Sequence, residues 1–439
     1  MAQIAGWVPI IEESSGRWHD YVAALRELVG GCTAGRARGI QAFQRELTGA
    51  YCEMAGMNYL LADECDRASV PAEVDSLQFE HAGLHGGLCE IAWFTEHLAQ
   101  LRRGTGRSMT LPASNETDGR ASEPLGACDS LLLAELRDSP WRGSYELSSG
   151  LTGFGVYFLN RLPDENAAAG IDLVLTELER LARTCDGDIT WVTAWAEMTP
   201  NEKNIRETGY SDLSIPQGVA GVIYFLNELV CCGLHVERAG CLLDGSVRWL
   251  LKQQTACCSL SRFKSYSRAA APTRDRLSWS EGDLGILAVL SQVARRNGQD
   301  GVRVSVRELL SHCLGWPSDL SGVRDLSLAD GGAGIGHIYN RLYQADGGPQ
   351  CREASRAWFD WTVLQIRSHE GEIQSPHVPH EVPATQGWSL LYGAGGVALA
   401  LLAAMSSVEP IWDRILGLSG HSTSLIGRET AALGGSQCH

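Results

Sequence analysis

Two patterns of apolar residues alternate along the chain. Some runs are almost uninterrupted, such as VIYFLNELV at 222–230 and VALALLAAM at 397–405. In other stretches, such as 167–183 and 354–368, apolar residues recur every three to four positions. That period predicts amphipathic helices, and the uninterrupted runs are consistent with helices that are buried on every side. The chain is therefore predicted to be helical, with two kinds of helix in turn.

A Gly-x-x-Gly motif comes before each of the more apolar segments, and the motifs are spaced roughly 60 residues apart, which is room for two helices and their connections. The repeat predicts helical hairpins, each with an apolar inner helix and an amphipathic outer helix. The six motifs begin at Gly83, Gly150, Gly218, Gly282, Gly331 and Gly393.

A further hairpin is expected at 17–64, which gives about seven in total. Each hairpin can bury its apolar face only against its neighbours, so closure into a ring would leave no exposed end. The six glycine loops would then lie on one rim, where helix N-termini converge. Two roles stay open for the glycines: they allow close helix packing, or they shape a common site on that rim.

Composition and charge narrow the class of protein. The chain has 439 residues with a net charge of −16, which argues against a general nucleic-acid-binding surface. The first apolar run, 4–11, is broken by Gly6 and Pro9, so no secretory signal is expected, and no apolar run is long enough to span a membrane. The 14 cysteines are scattered, which is typical of reduced thiols. We expect a cytoplasmic protein with one domain over 1–439.

Two polar stretches stand out. Residues 102–126 are rich in Gly, Ser and Thr and are interpreted as a flexible insertion. Residues 262–276 carry five basic side chains against Asp275 alone. This second stretch is either a solvated loop or a contact for an anionic peptide or phosphate, through Arg262, Lys264 and Arg268.

Several strings beside the glycines resemble one protein family. LSWSEGDLGI at 277–286 and LSLADGGAGIGHIYNRL at 326–342 are similar to the LSWCYGDLGI and LCLCHGxAGIAHIYNRL segments of lanthionine synthetase C-like cyclases. The glycine segments at 149–159, 217–221 and 389–396 also match repeats of that family. The resemblance spans about 76–416. It implies an all-α fold, an α/α toroid of seven inner and seven outer helices, and addition of a peptide Cys thiol to dehydroalanine or dehydrobutyrine.

The chain departs from that family where the chemistry lies. The family binds Zn²⁺ through the Cys of WCYG and the Cys and His of CHG, and these positions are Ser280, Ala329 and Asp330 here. A methyl group cannot ligate a metal, and a hydroxyl with one carboxylate is a weak set for Zn²⁺. No metal and no cofactor are therefore expected, although a hard cation at Ser280, Glu281 and Asp330 is an open alternative.

Other family positions are changed or kept. A family His becomes Gln217, which cannot transfer a proton near neutral pH, and a family Asp becomes Glu146. The Tyr of WCYG becomes Glu281, and a family Arg is retained as Arg276. The predicted catalytic residues are thus Glu146, Arg276, Glu281 and Asp330. Gln217, Trp279 and Ser280, with Arg262, Lys264 and Arg268, are the predicted substrate contacts.

Three functions follow as hypotheses. The first is a zinc-independent cyclase that forms lanthionine or aminovinyl-cysteine thioethers in a dehydrated ribosomal precursor peptide. The second is an inactive homologue that binds the precursor peptide or a partner enzyme as a scaffold or activator. The third is a thiol-conjugating or sensor protein. The expected partner is the precursor peptide, with its leader and its core. Because no phosphate loop or kinase motif is visible, a separate kinase, lyase or decarboxylase of the same pathway is expected as well.

Overall fold

A computed structural model gives the three-dimensional structure of the chain. The residues that it describes are 7–29, 82–104, 122–193, 209–255, 261–267, 276–295, 300–316, 322–323, 325–346, 348–368 and 389–420. Most of them are helical. The helices are α1 (Trp18–Val29), α2 (Leu88–Gly104), α3 (Ser122–Arg137), α4 (Leu151–Arg161), α5 (Glu165–Leu181), α6 (Val219–Cys231), α7 (Val236–Leu251), α8 (Asp283–Ala294), α9 (Asp300–Leu314), α10 (Gly332–Asp346), α11 (Pro349–Ser368) and α12 (Ala394–Met405).

The even-numbered helices form the inner layer. Every residue of α8 is buried, and so are nearly all residues of α4, α6 and α12. Successive inner helices pack on each other in chain order from α2 to α12. Each inner helix from α2 to α10 also packs on the helix that follows it in the chain, as α4 packs on α5 and α10 on α11. Helix α1 packs on α11 and α12. This two-layered arrangement confirms the predicted all-α toroid.

The second glycine of the repeated motif is required by close packing. A Cβ atom on Gly285 would collide with the main-chain oxygen of Trp279, six positions earlier. The same six-residue relationship joins Gly153 to Leu147, and it recurs at Gly221, Gly334 and Gly396. Because the obstacle is backbone, no side-chain movement can relieve it. The packing role of these glycines is therefore confirmed in five repeats.

The first repeat has a different register from the one predicted. The inner helices α4, α6, α8, α10 and α12 each begin one residue after the first glycine of their motif, and α2 begins at Leu88. The equivalent first glycine is therefore Gly87, and not Gly83. The GLHG spacing at 83–86 imitates the motif because two extra glycines, Gly83 and Gly86, stand in the loop that precedes the helix.

Other predicted segments fall partly outside the described residues. Of the hairpin at 17–64, α1 is described. The two ends of the predicted insertion at 102–126 are helical, in α2 and α3, and only 105–121 lie outside the described residues. A small antiparallel pair, β1 (Arg183–Cys185) and β2 (Asp188–Thr190), was not predicted. Within the described ranges, none of the helices is both long and apolar enough for a bilayer crossing.

Candidate functional site

The six loops that enter the inner helices share one frame of five residues ending at the first glycine. Counting from the start of this frame, the third residues lie side by side along the rim. The main-chain N–H of His85 donates to the oxygen of Ser148 (2.9 Å), and that of Ser148 donates to Pro216 (3.0 Å). On the other side, Ser280 donates to Ala329 (3.1 Å), and Ala329 donates to Leu391 (3.0 Å). The first three loops are thus tied to one another in order, and so are the last three. The frames are 83–87, 146–150, 214–218, 278–282, 327–331 and 389–393.

The first residue of the frame holds its own loop closed. In four loops it is a serine whose Oγ accepts the main-chain N–H of the fourth residue, for example Glu281 to Ser278 (3.0 Å) and Asp330 to Ser327 (3.2 Å). Such local side-chain acceptors are typical of serine in turns. The equivalent bonds join Gln217 to Ser214 and Tyr392 to Ser389.

Glu146 occupies this first position in the second loop. Its carboxylate accepts the N–H of Ser148 (2.5 Å), the N–H of Ser149 (3.0 Å) and the Ser149 hydroxyl (2.6 Å). Burial raises the pKa of Glu146, although these hydrogen bonds oppose the shift. The Glu146 carboxylate therefore closes its loop as the serines do in four other loops, and this role was not predicted because the residue type differs.

The fourth and fifth loops bring together the residues predicted around Ser280. The Ser280 hydroxyl donates to Oδ1 of Asp330, and the Arg276 guanidinium lies 3.7 Å from the same oxygen. The side chains of Arg276 and Asp330 are 16% and 13% exposed, so the pair is largely shielded but open on one side. A cation, a hydroxyl and a carboxylate thus converge at the rim, and we call this set the Asp330 cluster.

Tyr392 lies near the charged groups of the Asp330 cluster and was not predicted from the sequence. Tyr392 is 42% exposed, but partial burial of its phenol raises the pKa to about 12, and the nearby carboxylates of Asp330, Asp325 and Glu281 add to the shift. The phenol therefore stays protonated at neutral pH and can donate a proton or a hydrogen bond. Its position in the frame is the signal that sequence reasoning could have used, because it matches that of Glu281 and Asp330.

The segment after α12 forms a floor beneath these loops. It contains a 3₁₀ helix, Ile411–Leu416, and is buried from 412 to 419. Four side chains from different parts of the ring reach its main-chain oxygens. Tyr224 donates to Arg414 and Ser419 (3.0 Å each), His85 contacts Ile415 (2.9 Å), Trp279 donates to Leu416 (2.8 Å), and Gln292 donates to Gly417 (2.9 Å).

His85, in the first loop, is a neutral residue that contacts this floor. Its Nε2 must carry the proton, because Nε2 faces the oxygen of Ile415, and its Nδ1 therefore accepts from the Ser148 hydroxyl (2.9 Å). Burial lowers its pKa to about 4. The ring also packs edge-on against Trp279 at 5.6 Å, so the second and fourth loops meet around this imidazole.

The remaining predicted substrate contacts are not part of the Asp330 cluster, and their exposure differs from one residue to the next. Gln217 is exposed. Trp279 is only 2% exposed, which gives it a positioning role, and its contact with a substrate stays a prediction. Arg262 and Lys264 lie in 261–267, where the N–H of Arg262 donates to Oδ2 of Asp283 (2.8 Å). Arg268 lies outside the described residues.

Comparison with known proteins identifies the class. Residues 111–416 match the model of the lanthionine synthetase C-like protein family, so the chain belongs to that family. Among solved structures it is similar to nisin cyclase, with a TM-score of 0.63 and 15% identity over 91% of this chain and 90% of that one. At this identity the likeness establishes the fold. No curated protein matches the sequence.

The Asp330 cluster does not provide the zinc ligands that the family resemblance implies. Ala329 offers a methyl group, and the hydroxyl and carboxylate of Ser280 and Asp330 are hydrogen-bonded to each other. Zinc prefers thiolate and imidazole donors, which these three positions lack. Within the described ranges, no three His, Cys, Asp or Glu side chains are grouped so as to hold a metal ion.

Proposed function

We propose that this protein acts on a dehydrated, ribosomally made precursor peptide and closes a thioether ring without zinc. Its place in the lanthionine synthetase C-like family supports a peptide substrate and this class of reaction. The observation that carries the proposal is the Asp330 cluster, in which a hydroxyl and a carboxylate stand at two of the family's zinc-ligand positions beside the retained Arg276.

The thiol of the substrate must be reactive without a metal. An ordinary Cys thiol, with a pKa of about 8.5, is only a few per cent ionised at pH 7. An enethiol, produced by oxidative decarboxylation of a C-terminal Cys, is more acidic and needs no zinc to form its thiolate. Its addition to a dehydro-residue gives an aminovinyl-cysteine ring, which is the ring type that we favour over lanthionine.

The addition requires little from the protein. The sulfur forms a bond to the β-carbon of the dehydro-residue, the carbon–carbon π bond breaks, and the resulting enolate takes up a proton at its α-carbon. In this proposal Arg276 stabilises the enolate oxygen, and Asp330, Glu281 or Glu146 handles the proton. Binding of the peptide at the rim would hold the enethiol and the dehydro-residue close together, which accelerates their reaction.

The scaffold hypothesis has an observation of its own. The Glu146 carboxylate is engaged by three donors of its own loop, and Asp330 is engaged by Ser280 and Arg276. If both acids serve only to hold loops, the protein binds precursor or a kinase-, lyase- or decarboxylase-like partner and leaves the chemistry to that partner. The proposed site of action is the cytoplasm in either case.

Three variants separate the two functions. Arg276→Ala, Asp330→Asn and Glu146→Gln are compared with Asp300→Asn, an 89% exposed carboxylate on α9, in reactions that contain precursor and the pathway enzymes. A cyclase predicts that at least one of the first three lowers ring formation tenfold or more while peptide binding persists. If all four variants form the ring at the parent rate, and omission of the protein abolishes it, the scaffold function is the correct one.

A further inference from the structure

An open depression lies on the outside of the ring, beside α9. It has a volume of about 450 Å³ and is lined by Arg262, Arg307, Glu308, Ser311 and His312. This volume falls within the roughly 300–1,000 Å³ of ligand clefts. Arg262, Arg307 and Ser311 offer N–H or O–H donors, and Glu308 is an acid. Nε2 of His312 accepts from Trp316 (3.2 Å) and lies 3.6 Å from Oδ2 of the buried Asp283.

The depression has two walls that are fixed differently. One wall is α9, where Arg307 and Ser311 are one helical turn apart and so share a face. The other wall is the turn at Arg262, whose N–H donates to Asp283 (2.8 Å) and whose main-chain oxygen accepts from Thr255 (2.8 Å). The backbone of Arg262 is therefore held in place, which lowers the cost of ordering its side chain on a ligand.

Both guanidinium groups keep their hydrogen-bond donors open within the described ranges, although the charge of Arg262 also acts on the buried Asp283 carboxylate. Neither Arg262 nor Arg307 makes a side-chain ion pair or hydrogen bond there, whereas Arg303 on the same helix pairs with Asp300 (2.9 Å). An arginine fork matches a carboxylate in a two-bond geometry. The chain has a net charge of −16, so a pair of available arginines makes this depression a locally positive site on a protein that is negative overall.

The depression is also close to the rim. Asp283, which holds Arg262, is the first residue of α8 and follows Ser280 by three positions. A peptide chain bound at α9 could therefore continue toward the Asp330 cluster over a short distance.

We infer that this depression binds a short acidic segment of a peptide through carboxylates paired with Arg262 and Arg307. The identification of that peptide as the part of the precursor outside the ring-forming residues rests on the proposed function. The binding itself does not, because it is measured without any cyclisation step.

The test is the binding of fluorescein-labelled hexaglutamate to the full chain, followed by fluorescence anisotropy at two salt concentrations. We expect saturable binding that weakens as salt rises. The double variant Arg262→Ala/Arg307→Ala should weaken it at least tenfold. The matched control Arg17→Ala/Arg367→Ala removes Arg17, which precedes α1, and Arg367 of α11. It should leave binding unchanged.

Several results would overturn the inference. They are the absence of saturable binding, equal binding by the depression variant and the parent, or equal binding of labelled hexalysine. Competition by inorganic phosphate at the same concentration of anionic groups would assign the depression to small anions and not to a peptide. Circular dichroism of each variant checks that the helical fold is retained.

Discussion

The indole Nε1 of Trp279 donates a hydrogen bond of 2.8 Å to the main-chain oxygen of Leu416, 137 positions later in the chain. This bond joins the loop that carries Ser280 to the floor segment. Because Trp279 also contacts His85 and its own N–H donates to Ala329 (3.1 Å), it connects three of the six loops to the floor. The geometry of the Asp330 cluster therefore depends on a residue that does not belong to it.

Replacement of Trp279 by Phe should destabilise the protein. The change leaves the oxygen of Leu416 buried without a donor, which costs about 1–3 kcal/mol, in addition to the lost packing of the larger ring. Urea unfolding followed by circular dichroism measures this as a lower free energy of unfolding. The control is Trp358→Phe on α11, where the structure shows no indole hydrogen bond in the described ranges. Equal stability of the two variants would contradict the role of the Trp279 bond.

Gly282 should not tolerate a side chain. Its φ of +105° is disfavoured for other residues, and a Cβ atom would collide with the main-chain oxygen of Arg276. We expect Gly282→Ala to lower the free energy of unfolding by about 1–3 kcal/mol or more. Gly301→Ala is the matched control, because Gly301 lies in α9 with open space around it and should be neutral or slightly stabilising. Thermal unfolding compares them.

Stability should fall in weak acid because of buried neutral histidines. Burial lowers the pKa of His85 and of His97 to about 4, from 6.5 in the unfolded chain. The unfolded state therefore binds more protons between these values. The contribution of each histidine to the free energy of unfolding is complete above pH 6.5 and is lost as the pH falls toward 4. For a pKa shift of this size, the loss is about 3 kcal/mol.

The variant His85→Gln removes the contribution of one of these two histidines to the pH dependence of stability. It should reduce the slope of the unfolding free energy against pH between 6.5 and 4 by up to about 1.4 kcal/mol per pH unit. The control is His19→Gln, which replaces an exposed histidine and should leave the slope as it is. An unchanged slope in His85→Gln would show that His85 is not the buried neutral group described above.

The ligand positions should accept zinc once the missing donors are supplied. The N–H of Ser280 donates to Ala329, and the Ser280 hydroxyl contacts Asp330, so the three positions meet at one place. The triple variant Ser280→Cys/Ala329→Cys/Asp330→His offers two thiolates and an imidazole. Elemental analysis after dialysis should find about one zinc per chain, and none in Ser280→Cys alone. A folded triple variant without zinc would show that the three positions no longer converge as described.

The helical ring could be predicted from the sequence because its two signals are local. The apolar pattern distinguishes inner from outer helices, and Gly285 and its equivalents mark where each inner helix crosses a main-chain oxygen. The register of the first loop was predicted incorrectly, since Gly83 and Gly86 repeat the spacing without beginning a helix. Short-range patterns cannot distinguish such extra glycines from the one that precedes the helix.

The candidate site was predictable only in part. The family resemblance pointed to Arg276, Ser280 and Asp330, which lie together in the structure, and their role stays a prediction. Tyr392 was missed, although it lies in the segment 389–396 that matches a glycine repeat of the family. The floor could not be predicted. Its main-chain oxygens accept hydrogen bonds from the rest of the ring. Because every residue has such an oxygen, the residue types of the floor do not indicate these contacts. The side chains that contact it are His85, Tyr224, Trp279 and Gln292.

The most direct test of the account is ring closure by metal-stripped protein. Purified chain is treated with a chelator, its zinc content is measured, and it is given a dehydrated precursor that bears an enethiol. Closure does not change the mass, so a thiol-alkylating reagent followed by mass spectrometry reports it. The account predicts that the alkylatable thiol disappears at the same rate with and without chelator. A reaction that occurs only after zinc is added back, or one stoichiometric zinc bound at Ser280 and Asp330, would contradict it.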